Sequence, residues 1–225
     1  MLPEGGAQSP ESFRALLEKR APLFGLKLSD GILDRLAQYL GLLDLARRQT
    51  NLTGPLSSED LVDHVLESAL GERLISHGAR VVDIGSGAGF PGVPLAIVRP
   101  DIAVTPVEPR NKRVEFLTRV SRELPVTNLS LPVRDLGLLP ENAVDVATAR
   151  AVGGVERLIG KGRFLVPGGL FLAWITDLDE TSRRLAPLFE LETDIPVPES
   201  RHKRIVGFRR RHVPRGTADQ GPDKG

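Results

Sequence analysis

The chain of 225 residues contains no cysteine, which excludes disulfides, thiolate metal ligands and cysteine nucleophiles together. This absence is typical of a reducing compartment, so we expect a cytoplasmic protein. No apolar run approaches the roughly eighteen residues of a membrane helix, and no cationic leader precedes an apolar core. We therefore expect neither a membrane span nor a signal peptide. The four histidines are scattered without the spacing of metal ligands, so we expect no metal.

The chain has little net charge, only +1, but its cations fall into two groups. The first consists of Arg110, Lys112, Arg113, Arg119 and Arg122, and the second of Arg201, His202, Lys203, Arg204, Arg209, Arg210 and Arg211. Arginine forks suit phosphate oxygens and stack on bases, which favours a nucleic-acid partner. Solvated helix faces would give the same clusters, so composition alone leaves both interpretations open.

The most informative pattern that is present is a glycine-rich turn between a strand and a helix. The order is Val81-Val82-Asp83-Ile84 as a strand, Gly85-Ser86-Gly87-Ala88-Gly89 as the turn, and 92–98 as a short apolar helix. This order opens Rossmann-like nucleotide sites, where glycines let the backbone turn sharply and a ligand approach closely. Glu108 ends the next apolar run, where a carboxylate can accept both hydroxyl protons of an adenosyl ribose.

The spacing of the glycines separates two classes of nucleotide ligand. A dinucleotide dehydrogenase needs G-x-G-x-x-G, but here Phe90 stands where its third glycine would be. Asp83, two residues before the first glycine, is typical of enzymes that bind S-adenosylmethionine. The pattern therefore favours this methyl donor over NAD, and a glycine turn without a ligand is the structural alternative.

Amphipathic helices dominate the first third of the chain. Leucine spacing predicts two or three helices, interrupted near Ala21-Pro22 and at Ser29-Asp30, and a further helix from Ser58 to about Ile75. We therefore expect a disordered N-terminus over 1–10, a helical cap over 11–76, a methyltransferase domain over 77–212 and a disordered tail over 213–225.

Strands and helices alternate from Arg80 onward, which predicts a Rossmann-like α/β fold with a mostly parallel seven-stranded sheet and helices on both faces. The predicted strands are 80–84, 102–107, 129–133, 143–148, 168–175, 190–196 and 203–209, the last two forming an antiparallel hairpin. The predicted helices are 92–98, 110–123, 153–164 and 178–187. Since ligands lie beyond the carboxyl ends of such strands, we expect Gly85–Gly89, Glu108, Asp135 and Arg150 to surround one crevice.

Over about 51–208 the chain resembles the bacterial small-subunit ribosomal RNA methyltransferase G family, also called glucose-inhibited division protein B. The most specific match is Asp83-Ile84-Gly85-Ser86-Gly87-Ala88-Gly89-Phe90-Pro91-Gly92-Val93-Pro94-Leu95-Ala96-Ile97, whose Pro-Gly-x-Pro continuation is unusual among methyltransferases. Four shorter segments look like further family signatures: Asn51-Leu52-Thr53, His64 to Ser68, Lys112 to Leu117, and Ala149-Arg150-Ala151-Val152.

This resemblance implies a class I S-adenosylmethionine-dependent methyltransferase that consumes the donor to methylate a guanine N7 in 16S ribosomal RNA, alone or in the small subunit. We expect no membrane or DNA partner, and a monomer is favoured although the sequence does not fix the oligomeric state. By this match Gly85 and Phe90 would line the methionine–ribose region, Asp135-Leu136-Gly137 would flank the adenine, and Arg150 would line the donor site and position the substrates. The motif adds Asp83, Gly87 and Glu108 to the expected donor site.

Two departures from the family pattern leave alternatives open. Asp135-Leu136-Gly137 stands where the family usually has Arg-Ala-Glu, although Asp135 can still accept from the adenine amino group. Ile175-Thr176 stands where the family usually has Lys-Gly, which puts the grip on the substrate in question. The alternatives are a donor-binding ribosome-assembly factor with lost or weak activity, and a small-molecule methyltransferase whose helical cap closes over its substrate.

The residues present suit guanine N7, because its in-plane lone pair carries no proton and its methylation needs neither a base nor a covalent intermediate. Cytosine C5 methylation would need the missing cysteine. Exocyclic amino methylation usually uses an Asn/Asp-Pro-Pro-aromatic loop, where this chain has Ala149-Arg150-Ala151-Val152. We expect His64 and Glu67 to share a helix face and to bond the cap to the sheet, and Trp174 to be a core or cleft-wall residue.

Overall fold

The computed structural model describes residues 7–50, 52–151, 154–155, 158–159 and 163–211. Its N-terminal part is helical, with α1 over Pro10–Arg20, α2 over Asp30–Gln49 and α3 over Ser58–Ala69. Short 3-10 turns over Ala21–Phe24 and Leu70–Leu74 follow α1 and α3. The predicted interruptions at Ala21-Pro22 and Ser29-Asp30 are therefore confirmed, whereas 1–6 and the predicted tail over 213–225 lie outside the described residues.

The start of α3 shows how the local sequence sets a helix boundary. Ser57 Oγ accepts the Asp60 N–H at 3.0 Å, and Asp60 Oδ2 accepts the Ser57 N–H at 2.8 Å. This reciprocal pair is a capping box, which satisfies backbone donors that the first turn of a helix leaves without partners. The helix then buries Leu61, Val65 and Leu66, so α3 is fixed at its first turn and along its apolar face.

Six strands form one sheet. They are β1 over Arg80–Ile84, β2 over Ala103–Val107, β3 over Val144–Arg150, β4 over Leu165–Ile175, β5 over Phe189–Pro196 and β6 over Arg204–Arg210. Their spatial order is β2-β1-β3-β4-β6-β5; the first four pair in parallel, and β6 pairs antiparallel with both β4 and β5. The predicted α/β class and the closing antiparallel hairpin are confirmed.

The predicted strand at 129–133 is wrong, so the sheet of the described residues has six strands rather than seven. This segment lies beside β2 and makes two isolated parallel bridges there, Val104 with Leu129 and Val107 with Val133. Pro106 in β2 and Pro132 in the segment both lack the N–H that a regular ladder needs between these bridges. The Val133 N–H donates to Pro106 O at 2.8 Å instead, so pairing resumes one residue out of register.

Helices cover both faces of this sheet: α4 over Gly92–Val98, α5 over Asn111–Glu123 and α6 over Leu178–Leu185. Adjacent strand residues point to opposite faces, so Val81 packs with the cap side of the core and Val82 with the other side. The predicted helix over 153–164 lies only partly within the described residues. Within the described ranges no helix is both long and apolar enough to cross a bilayer.

Candidate functional site

The turn after β1 is built from glycines whose backbone angles other residues rarely adopt. Gly85, Gly87 and Gly89 have φ values of +69°, +57° and +104°. The N–H groups of Gly85 and Ser86 donate to Val107 O at 2.8 and 3.1 Å, which ties the turn to the end of β2. The turn therefore presents bare backbone to the space beyond the carboxyl ends of the strands.

Glu108 lies at the end of β2, directly against this turn, and only 2% of the residue is exposed. Its Oε2 accepts the Gly87 N–H at 3.0 Å, and its Oε1 accepts the Arg110 N–H at 2.9 Å. The Arg113 guanidinium stands 3.7 Å from Oε2. Each carboxylate oxygen has a second lone pair, so Glu108 can still accept hydrogen bonds from a ligand.

A crevice of about 580 Å³, here called the glycine-turn crevice, opens beside Glu108. Of the predicted donor-site residues, those in its lining are Gly85, Glu108, Asp135 and Leu136. Gly137 donates its N–H to Asp135 Oδ1 at 2.8 Å, so it fixes the side chain that faces the crevice. The structure thus brings together residues from the ends of β1 and β2 and from the loop before β3.

Asp83 lies beneath the turn, where the protein itself engages its carboxylate. Oδ1 accepts the Thr148 hydroxyl at 2.9 Å, and Oδ2 accepts the Gly92 N–H at 3.2 Å. A Cβ on Gly92 would stand 2.7 Å from Oδ2, so the first residue of α4 must be glycine for this approach. Complete burial raises the pKa of Asp83 to about 6, against the lowering effect of these hydrogen bonds. Asp83 therefore braces the turn from below.

The helical cap supports the other side of the turn, a contact that sequence analysis did not predict. The Tyr39 hydroxyl on α2 donates to Ala88 O at 2.6 Å, and burial raises the pKa of Tyr39 well above its usual value. The Phe90 ring meets the rings of Tyr39 and His64 edge-on, at centroid distances of 5.9 and 5.8 Å. The Arg150 guanidinium carbon lies 5.7 Å from the centroid of the same ring. Phe90 is therefore held between the cap and the end of β3.

Arg150 was expected at the same crevice as Glu108, but it lines a second cavity, described below, and is bonded to the cap. Its Nη1 donates to His64 O at 3.0 Å, and its Nη2 donates to Glu67 Oε2 at 2.6 Å. Nη2 also lies 2.9 Å from His64 Nδ1, which accepts because a guanidinium can only donate. The predicted hydrogen bonding of His64 and Glu67 between cap and sheet is confirmed, with Arg150 as its partner on β3.

Glu67 joins two cations in a nearly buried site. Its Oε1 lies 2.5 Å from Lys203 Nζ, while Oε2 bonds Arg150. Burial by itself raises the pKa of Glu67, but the charges of Arg150 and Lys203 outweigh it and lower that pKa to about 2. His64 Nδ1 is 3.6 Å from Oε2, too far for a hydrogen bond, so we attribute the lowering to the two cations. Glu67 is therefore ionised at neutral pH.

A second cavity of about 480 Å³, here called the β4 cavity, adjoins the glycine-turn crevice. Ala151 lines both spaces and has a positive φ of +53° just after β3. Trp174 lines the β4 cavity, is 7% exposed and donates its indole N–H to Glu67 O at 2.8 Å, which confirms a core or cleft-wall position. Asp177 and Lys203 also line this cavity. Sequence analysis did not single out Asp177, and it placed Lys203 only within the second group of cations.

Some of the clustered cations are engaged within the protein and others are exposed. Arg204 meets Asp194 through two contacts of 2.5 and 2.6 Å, which leaves less of its charge for a partner. Lys112 and Arg201 are exposed. The surface charge that suits phosphate groups is therefore carried by fewer residues than the sequence clusters suggest.

The sheet order, the glycine turn after β1 and the acidic residue after β2 define a Rossmann-like S-adenosylmethionine-dependent methyltransferase. A solved structure described as a SAM-dependent methyltransferase from Aquifex aeolicus matches with a TM-score of 0.58 and 15% sequence identity. The match covers 73% of this chain and 97% of that chain, and at this identity it shows the fold.

The chain belongs to the rRNA small subunit methyltransferase G family, whose sequence profile matches residues 32–188. A ribosomal RNA small subunit methyltransferase G from Halorhodospira halophila is 36% identical over 162 residues, 71% of this chain and 77% of that protein. A protein of the same name from a Mycobacterium species (strain JLS) is 42% identical over 125 residues, 54% of this chain and 56% of that protein. The chain is therefore a methyltransferase that uses S-adenosylmethionine as its donor.

Proposed function

We propose that the chain transfers the methyl group of S-adenosylmethionine to N7 of a guanine in the 16S ribosomal RNA of the small subunit. The observation that carries this proposal is the buried Glu108 against the glycine turn, in a crevice that adjoins a second cavity at Ala151. Two adjoining spaces suit a donor and an acceptor that must meet. The relatives are named ribosomal RNA small subunit methyltransferases, and these names support this choice of acceptor.

The residues of the glycine-turn crevice fit an adenosyl group. A Cβ on Gly87 would lie 3.6 Å from the Arg113 guanidinium, next to Glu108. Because residue 87 is glycine, this space stays open for the adenosyl group. Glu108 would accept the ribose hydroxyls, Asp135 would accept the adenine amino group, and Leu136 would contact the ring. The crevice volume of about 580 Å³ lies within the range of small-molecule sites.

Phe90 and Arg150 are assigned to the methionine side of the donor, across the turn from Glu108. Arg150 acts there as a positioning residue, because its contacts with Glu67 and His64 fix the guanidinium beside the Phe90 ring. Asp83 acts through the turn that it braces rather than through contact with the donor.

Methylation of N7 requires the protein to align the two substrates, and it requires no catalytic base. The N7 lone pair forms the new N–C bond while the C–S bond breaks and its electron pair returns to sulfur. Positive charge moves from the sulfonium to the guanine ring, and no proton leaves. The buried ionic contacts around Glu67 are then structural supports for alignment and need not titrate during turnover.

Transfer of labelled methyl groups to deproteinised 16S ribosomal RNA and to isolated small subunits tests this proposal. Mapping should locate the label at one guanine, and the RNA should cleave there with aniline after mild reduction. The single-turnover pH–rate profile should lack a limb from an essential enzymic base. A methylated product that resists cleavage, or no label in either substrate, would contradict the proposal.

A further inference from the structure

The β4 cavity has apolar walls that suit a flat ring. Ala149, Val197 and Leu185 line it together with Trp174. The indole is fixed because its N–H donates to Glu67 O at 2.8 Å. Gly71 permits this position, since a Cβ there would stand 2.6 Å from the indole ring. The cavity thus offers a preformed apolar wall directly beside Ala151, where the glycine-turn crevice begins.

A hydrogen-bond donor, Lys203, and a hydrogen-bond acceptor, Asp177, line the same cavity. Lys203 donates one ammonium proton to Glu67 Oε1 at 2.5 Å, and the ammonium has two further protons to donate. Asp177 accepts the Glu180 N–H through Oδ1 at 2.8 Å, which fixes the carboxylate at the start of α6. Because Ile175 pairs with Arg204, Lys203 enters from the β6 side while Asp177 follows the end of β4. The cavity therefore combines a held donor and a held acceptor.

Guanine is the base whose hydrogen-bonding edge matches this pair. Its O6 accepts, while its N1–H and 2-amino group donate; adenine reverses the first two groups, with an amino group at position 6 and an acceptor at N1. We propose that the β4 cavity binds the guanine to be methylated, with Lys203 donating to O6 and Asp177 accepting from the N1–H and 2-amino groups. This proposal rests on the proposed function and adds the two residues that select guanine over adenine. N7 itself receives no donor in this arrangement, so its lone pair stays available.

The test is a set of cycles that change the protein and the base together. Wild-type protein and Lys203→Gln are compared on RNA with guanine and on RNA with 2-aminopurine at the methylated position. The analogue lacks O6 and also the N1–H, and the second loss affects both proteins alike because Asp177 is unchanged in both. Lys203→Gln should lower kcat/KM roughly ten- to a hundredfold on guanine RNA, because a hydrogen bond from a charged donor is lost. On 2-aminopurine RNA the same substitution should cost less than about threefold.

A second cycle uses the other residue of the pair. Asp177→Asn keeps an effective N-cap for α6, and inosine lacks the 2-amino group of guanine. Asp177→Asn should cost about tenfold or more on guanine RNA and several-fold less on inosine RNA, where only the bond from the N1–H is left to lose. This cycle leaves the Lys203–Glu67 contact in place, so it decides the question if Lys203→Gln does not fold.

The controls separate base recognition from a structural role. Lys27→Gln, at an exposed position of the cap, should match the wild type on every RNA. Donor affinity of the two cavity variants and the melting temperature of Asp177→Asn should match the wild type, whereas Lys203→Gln should melt lower because the nearly buried Glu67 loses one of its two cations. Equal losses on guanine RNA and on the analogue in both cycles would overturn this inference while the proposed function stands. Absence of N7 methylation by the wild-type protein would overturn both.

Discussion

Replacement of Glu108 by alanine removes the carboxylate that the proposed function assigns to the donor ribose. A hydrogen bond to a charged group contributes about 1.5–3 kcal/mol, so losing one such bond lowers donor affinity roughly ten- to a hundredfold. Glu108 also accepts the N–H groups of Gly87 and Arg110 at 3.0 and 2.9 Å. The substitution therefore acts in two ways, through the ribose and through the turn.

A donor analogue separates these two effects. S-adenosylhomocysteine and its 2′-deoxyribose form are titrated calorimetrically into wild-type protein and Glu108→Ala. If the carboxylate accepts the 2′-hydroxyl, removal of that hydroxyl should cost the wild type about tenfold in affinity and the variant less than twofold. Equal costs in the two proteins would show that the hydroxyl does not bond Glu108.

Glu123→Ala is the matched control for this experiment. Glu123 lies at the end of α5, where it pairs with Arg119 at 2.8 Å on the surface, and its loss should leave donor affinity unchanged. Both variants are checked for folding by their melting temperatures. A loss of affinity below twofold in folded Glu108→Ala would refute the placement of the ribose at this carboxylate.

Three further predictions concern stability and RNA binding. Burial raises the pKa of Asp83 to about 6 from an ordinary value near 4, so ionising Asp83 costs stability increasingly between those pH values and by a constant amount above them. The unfolding free energy of Asp83→Asn, measured in urea, should therefore fall less between about pH 4 and 6 than that of the wild type, and equal slopes would contradict this. Tyr39→Phe keeps the ring but leaves Ala88 O without its 2.6 Å partner, so urea unfolding should show a loss of about 1–3 kcal/mol, and unchanged stability would count against it. Charge reversal at Lys112 or Arg201 should weaken RNA binding, lower the magnitude of the log–log salt slope by about 0.7–0.9 and spare donor affinity; an unchanged slope would identify a merely solvated charge.

The parts of the site that follow from the sequence are those set by local backbone chemistry and by the topology of parallel sheets. Gly85 and Gly87 indicate a turn with positive φ, and Glu108 follows the next strand. In a parallel sheet of this fold class the ends of both strands lie at the same edge, so the contact between Glu108 and the turn could be predicted. The prediction of a strand at 129–133 is wrong because the alternation of apolar residues carries no information about the hydrogen bonds between neighbouring strands. Pro106 and Pro132 each lack the N–H that the pairing between β2 and this segment would need. Their effect depends on the two prolines facing each other, which neither position shows by itself.

Contacts between distant segments could not be predicted in this way. The Lys203 ammonium reaches a carboxylate 136 residues earlier in the chain, and the Tyr39 hydroxyl reaches a carbonyl 49 residues later. The sequence marks Lys203 only as one of a group of cations and Tyr39 only as the single tyrosine of the chain, and neither feature identifies the partner. Such pairs depend on how the cap docks on the sheet, which hydrophobic periodicity leaves undetermined.

Because the cap packs on the sheet, the site contains residues from both sides of the predicted boundary at 76/77. Arg150 belongs to β3 and Glu67 to the cap, and the Arg150 side chain is only 14% exposed at their 2.6 Å contact. A buried guanidinium without its carboxylate would carry an uncompensated desolvation cost, so removing the cap would destabilise the end of β3. The same contact fixes the Phe90 ring beside the glycine turn and, through Glu67, the Lys203 ammonium at the β4 cavity. The cap therefore supplies, in Glu67, the carboxylate that fixes Arg150 beside the Phe90 ring and Lys203 at the β4 cavity.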